Sequence, residues 1–90
     1  MNAQALPVHV LLVLVRIHSE GRRASLEVLV EELRVRRGDI RRTLSALHRE
    51  GFVDVLRMRP TLAGFALGRS LRGAELPALR PVKVAAVRAA

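Results

Sequence analysis

The sequence predicts a small, mainly helical α+β domain: three helices followed by a two-stranded β-hairpin. Three observations lead there. Apolar residues fill the stretch 6–17 almost without a break and recur at helical spacing in 26–33 and 40–47. The first and third stretches each run into a glycine, Gly21 and Gly51, the residue that most easily closes a helix. Beyond Gly51 two short apolar runs, 53–58 and 62–67, flank Arg59-Pro60-Thr61, as strands flank a turn.

The first helix is expected from Leu6 to Ser19 or Glu20. Pro7 suits a first helical turn, where its missing N–H costs nothing. The valines of this segment would also fit a strand, but its length and the Gly21 stop favour a helix. Being apolar almost all round, it should be central and buried. Residues 1–5 read as a short leader. The run 8–15 does not read as a secretory signal, because no Lys or Arg precedes it and Arg16, His18 and Glu20 follow at once. It also falls well short of the ~20 residues that cross a bilayer. No membrane partner is expected, and the predicted location is the cytoplasm, with the nucleoid.

Ser25 is a good N-cap for the second helix, and Glu27 complements its dipole. Leu26, Leu29, Val30 and Leu33 form its apolar stripe, which ends near Leu33 or Arg34. Residues 34–38 make a tight connection whose one apolar member, Val35, would plug the gap between helices. The third helix is expected over 38–50, with Ile40, Leu44 and Leu47 inward. Phe52 and Val53 should fold back on its end. Gly64 weakens the second strand. Residues 68–73 read as a loop, and 74–79 as one short turn of helix or strand. The domain is expected to span 1–79. Residues 80–90 form a basic tail that is either flexible or ordered by a partner.

Ninety residues make one domain with a modest core, burying about 60–65% of the unfolded surface. Phe52 and Phe65 are the only aromatics, too few for a platform that stacks single-stranded bases. The absence of cysteine excludes disulfides, thiolate catalysis and zinc–thiolate sites. The net charge of +8 points to a polyanionic partner. Fifteen of the sixteen basic residues are Arg, which GC-rich coding would also produce. Coding bias, however, does not segregate charge by element. Arg36, Arg37, Arg41, Arg42 and Arg49 cluster on the third helix and its approach, offset only by Asp39 and Glu50. The acids Glu27, Glu31 and Glu32 sit on the second helix.

Two helices, a tight turn, a third helix ending in Gly and a hairpin in this order suit a winged helix-turn-helix, whose third helix enters the major groove of DNA. Stepping about 100° per residue from Ile40, Gly38, Arg42, Ser45 and Arg49 lie opposite the apolar stripe. Ala46 and Asp39 fall at one edge of that face and Arg41 at the other. Small residues permit close approach to the groove floor, and Arg can pair with guanine. Arg36 and Arg37 stand where phosphates are usually held. Arg57 and Arg59 flank the hairpin turn and would reach the backbone.

The stretch 29–67, through its run LVEELRVRRGDIRRTLSALHREGFVDV and the later GFALGR, resembles small bacterial winged helix-turn-helix regulators of the MarR type and their relatives. The resemblance implies that Arg36, Arg37, Arg41, Arg42, Thr43, Ser45 and Ala46 fall on the DNA-reading segment. The chain departs from that group in two ways: it shows no long C-terminal helix for dimerisation and no redox cysteine.

No catalytic constellation stands out. His9 and His18 have no carboxylate at ligand spacing, His48 lies beside Arg49 and Glu50 near a helix end, where a positive charge suits the dipole, and no serine has a partnered base. Gly64 and Gly68 read as hairpin glycines rather than a phosphate loop. Neither enzyme activity nor a metal or cofactor is expected. Two functional classes remain. One is a sequence-specific regulator of transcription bound to double-stranded DNA, dimeric if it reads two half-sites. The other is a protein-interaction module, an antirepressor or a complex subunit, docking through a wing made apolar by Leu56, Met58 and Leu62.

Overall fold

The computed structural model describes residues 5–72. Its elements are α1 (Leu6–Ser19), α2 (Leu26–Leu33), α3 (Arg37–Arg49), β1 (Val53–Asp54), β2 (Arg59–Pro60) and α4 (Leu62–Arg72). Over the described residues this is a mostly helical α+β arrangement with four helices and one two-stranded antiparallel hairpin. The expected turn at 74–79 and the tail at 80–90 lie outside the described residues.

α1 is the central helix. Val10, Leu11, Leu14 and Ile17 are buried almost completely, and α2, α3, β2 and α4 all pack around it. Its end is a Schellman closure. Gly21 takes φ 74°, its N–H donates to the His18 carbonyl at 3.0 Å, and the Arg22 N–H donates to the Ile17 carbonyl at 3.1 Å. α2 starts as expected, with the Ser25 hydroxyl accepting the Val28 N–H at 3.1 Å. At its other end Arg34, not a glycine, holds the left-handed position at φ 56°. Only residues 34–36 separate α2 from α3, and Val35 is half-buried against the core between them.

α3 begins one residue earlier than expected and docks through Ile40, Leu44 and Leu47, all buried. It closes as α1 does. Gly51, at φ 83°, donates its N–H to the His48 carbonyl, and Phe52 donates to the Leu47 carbonyl, both at 3.0 Å. Phe52 and Val53 then pack back on the core.

The hairpin differs from the expectation. Val53 pairs with Pro60 and Asp54 with Arg59, so the turn is 55–58 and not Arg59-Pro60-Thr61. The Asp54 carboxylate accepts the Leu56 N–H at 3.0 Å, the local bond that makes Asp a turn former. Met58 completes the turn in the left-handed region at φ 51°.

Residues 62–67 are not a second strand; they open α4, which runs on through the expected loop at 68–72. The cause is Thr61. Its hydroxyl accepts the Gly64 N–H at 3.1 Å, which caps a helix, and donates to the Gly51 carbonyl at 2.6 Å. Its N–H donates to the Phe52 carbonyl at 3.0 Å. Gly64 and Gly68 are therefore helix glycines, four residues apart on one face. A Cβ at Gly64 would stand 2.0 Å from the Phe52 carbonyl oxygen, and one at Gly68 would stand 2.9 Å from Val15 Cγ2. Both glycines let the α4 backbone lie directly on the hairpin and on α1. Phe65 completes the contact, its ring edge-on to His18 with centroids 5.3 Å apart.

No helix among the described residues is long and apolar enough to cross a membrane.

Candidate nucleic-acid interface

The helical period that buries Ile40, Leu44 and Leu47 turns the rest of α3 outward. Arg41, Arg42, Ser45 and Arg49 are exposed, Gly38 is exposed at the start of the helix, and Ala46 is half-buried at the edge. Arg36 is the exposed N-cap residue of α3 and contributes no side-chain acceptor there. Arg36 and Arg37 thus occupy the N-cap and the first position of the helix, the end at which its dipole is positive.

Thr43 is a correction. It is only 9% exposed and belongs to the inward face, so it cannot reach a base edge. Its position, three residues after Ile40 and four before Leu47, puts it on the core side of the wheel.

The arginines divide by their partners. Arg37 is ion-paired to Glu27 of α2, and Arg42 to Asp39 one turn back on α3. The Arg42 guanidinium folds back over Gly38, where a Cβ would lie 3.8 Å from Nη1. Glu27 is held below its ordinary carboxylate range, first by its own backbone N–H at the start of α2 and then by Arg37. By contrast, Arg36, Arg41, Arg49 and Arg59 form no ion pair among the described residues. Arg57 lies 3.9 Å from Asp54 at the hairpin turn, and Arg59 is exposed on β2.

His48 joins this surface to the hairpin. Its Nδ1 lies 3.1 Å from the Val53 carbonyl oxygen and 3.4 Å from the Val55 nitrogen. A proton on Nδ1 bonds the first; a lone pair there accepts from the second.

Two cations outside the expected set emerge at the hairpin. Arg22 and Arg23, from the loop after α1, face Arg57 and Arg59 across a groove. The sequence signal was the pair itself, Gly21-Arg22-Arg23, but its proximity to the hairpin depends on β2 packing against α1. Among the described residues no cluster of His, Asp or Glu could hold a metal ion. Compared with protein-family models, curated proteins and solved structures, the chain matches none.

Proposed function

We propose that this chain is a winged helix-turn-helix protein that binds double-stranded DNA and regulates transcription. In this reading α3 lies in the major groove and the hairpin is a wing on the adjacent backbone. One observation carries it: the outward face of α3 combines exposed Gly38, Ser45 and Arg49, opposite the buried stripe, with exposed Arg41 and half-buried Ala46 at its edges, and neither Arg41 nor Arg49 forms an ion pair among the described residues. Small residues let the helix approach the groove floor, while Arg41, Arg42 and Arg49 reach base edges. Arg36 and Arg37 hold phosphates at the start of α3, and Arg57 and Arg59 do so from the hairpin. One such unit reads only a few base pairs, so a homodimer on two half-sites supplies the specificity. No step of this function calls for a cofactor or a catalytic residue.

A second reading rests on a specific observation. Leu56 at the hairpin tip is 91% exposed and Leu62 at the start of α4 is 87% exposed. Two large apolar side chains in water suit a protein-docking surface rather than a phosphate contact.

The test is duplex binding by fluorescence anisotropy between roughly 50 and 300 mM salt, followed by selection and sequencing from a random duplex pool. The DNA reading expects log affinity to fall with log salt, by about 0.9 per phosphate neutralised, and an enriched, palindromic motif. Arg36→Ala should weaken binding to every sequence, and Arg49→Ala should relax one base position. Failure to bind duplex at moderate salt would overturn the DNA reading in favour of docking through Leu56 and Leu62.

A further inference from the structure

The hairpin does not lie flush on the loop that follows α1. Between them is a groove of about 510 Å³, open on one side. That volume falls within the range of small-molecule sites, roughly 300–1,000 Å³. Leu14 and Ile17, both fully buried, close its bottom, and half-buried Ala24 and Met58 form its walls. Around the rim stand Arg22, Arg23, Arg57 and Arg59, with His18 beside them. Among the described residues no carboxylate lines it.

The four rim cations are not equivalent. Glu20 holds Arg22 at 2.7 Å and Asp54 holds Arg57 at 3.9 Å, both carboxylates standing outside the groove. These two guanidinium groups are oriented as well as partly neutralised. Arg23 and Arg59 form no ion pair among the described residues. Like charges gathered at one rim repel, and a single anion between them removes that cost.

The apolar wall is placed at a cost of its own. Met58 adopts φ 51°, a region that disfavours any side chain with a Cβ, and its side chain packs on the core at the groove. The neighbouring Leu56 is 91% exposed, on the same rim.

We infer that this groove binds a small organic anion: one carboxylate, sulfonate or phosphate group joined to a compact apolar body. The anionic group sits between Arg23 and Arg59, and the apolar body lies against Met58 and Leu56. An inorganic anion would leave the apolar wall unused. A neutral apolar molecule would leave the arginines uncompensated. The DNA backbone offers charge but no apolar body for Met58 and Leu56. The inference shares Arg59 with the duplex reading, which gives that residue a phosphate, but it draws on Arg23, Ala24 and Met58, which that reading does not use, and it needs no DNA.

The probe is 8-anilino-1-naphthalenesulfonate, titrated by fluorescence into the whole chain at ~150 mM salt, with backbone amide shifts recorded alongside. Saturable one-to-one binding is expected, with the largest shifts at Ala24 and Met58. Arg23→Gln combined with Arg59→Gln should weaken it about tenfold or more, with an unchanged thermal unfolding curve. Arg41→Gln combined with Arg49→Gln, on α3, should leave it unchanged. Equal binding by both double variants would overturn the site, as would shifts centred elsewhere. A third result would also overturn it: a duplex that binds the groove variant far more weakly than the α3 variant, which would make the four arginines a seat for DNA phosphates.

Discussion

α3 and α4 are helices of 13 and 11 residues in the same small domain, yet different parts of the chain hold them. α3 docks by its side chains: Ile40, Leu44 and Leu47 enter the core and the rest of the helix is left to the surface. α4 docks by its backbone: Gly64 lies against the Phe52 carbonyl and Gly68 against Val15, with Thr61 tying its first turn to the end of α3. Burying side chains leaves the outer face of a helix free to change for function. Burying backbone makes the absence of a side chain the essential feature, and substitution there adds atoms to a filled space.

That difference gives the largest predicted effect. Gly64→Ala places a methyl 2.0 Å from the Phe52 carbonyl oxygen, a backbone atom that moves only if the hairpin moves. Its cost should exceed the ~1–3 kcal/mol usual for overpacking, read as a large fall in the denaturation midpoint. The corresponding change on α3, Gly38→Ala, meets nothing closer than the flexible end of Arg42 at 3.8 Å. It should be neutral or stabilising, by up to about 1 kcal/mol. Equal effects at the two glycines would mean that α4 does not rest on the hairpin backbone.

Next comes Leu44→Ala. Leu44 is 4% exposed, in the middle of the α3 stripe. Removing its side chain should cost roughly 2–4 kcal/mol through the cavity left behind. Chemical denaturation measures this, and a negligible change would remove α3 from the core. Thr61→Ala should cost about 1–2 kcal/mol, because the hydroxyl both caps α4 and donates to Gly51. Thr61→Ser keeps both bonds and should recover most of the loss. If serine does not rescue, the methyl group and not the hydroxyl matters.

The same contrast explains what could be read from the sequence. α1, α2 and α3 announce themselves because their packing is written in apolar side chains at a period near 3.6, and their ends in Ser25, Gly21 and Gly51. α4 carried a signal of another kind. Thr61 precedes Gly64, Phe65 and Gly68, a helical spacing in which two of the three contacts are glycines. A hydrophobic pattern cannot register a contact made by having no side chain, so residues 62–67 read as a strand. The hairpin turn moved for the same reason: with Pro60 and Thr61 absorbed into β2 and the α4 cap, Asp54 and Met58 had to supply the reversal. In the candidate interface, the outward positions of Arg41, Arg42, Ser45 and Arg49 followed from the wheel. Thr43 did not; likeness to winged-helix regulators put it on the reading face, whereas its spacing from Ile40 and Leu47 puts it inside. The Asp39–Arg42 pair was visible in its spacing of three. The Glu27–Arg37 pair, ten residues apart across the turn, became visible only once α2 and α3 were packed together.

That last pair supports the smallest effect and the sharpest one. If α3 binds duplex, Arg37 must choose between Glu27 and a phosphate, because one guanidinium cannot fully serve both. Glu27→Gln frees Arg37 and should raise duplex affinity about two- to fivefold at low salt, the scale of one surface ion pair. The gain should shrink as salt rises, because both groups are exposed and screened. The pH dependence carries the same sign. The folded-state pKa of Glu27 is lowered, so its pairing contributes above the ordinary carboxylate range and is lost as pH falls through the lowered value. Protonating Glu27 therefore releases Arg37 just as the substitution does. The affinity ratio between the Glu27→Gln protein and the parent should fall toward one as pH is lowered through that range, while other titrating groups cancel between the two proteins. A ratio that stays at one at every pH would mean Arg37 does not touch the duplex. A ratio below one would mean the pair holds α2 and α3 in the geometry that binds.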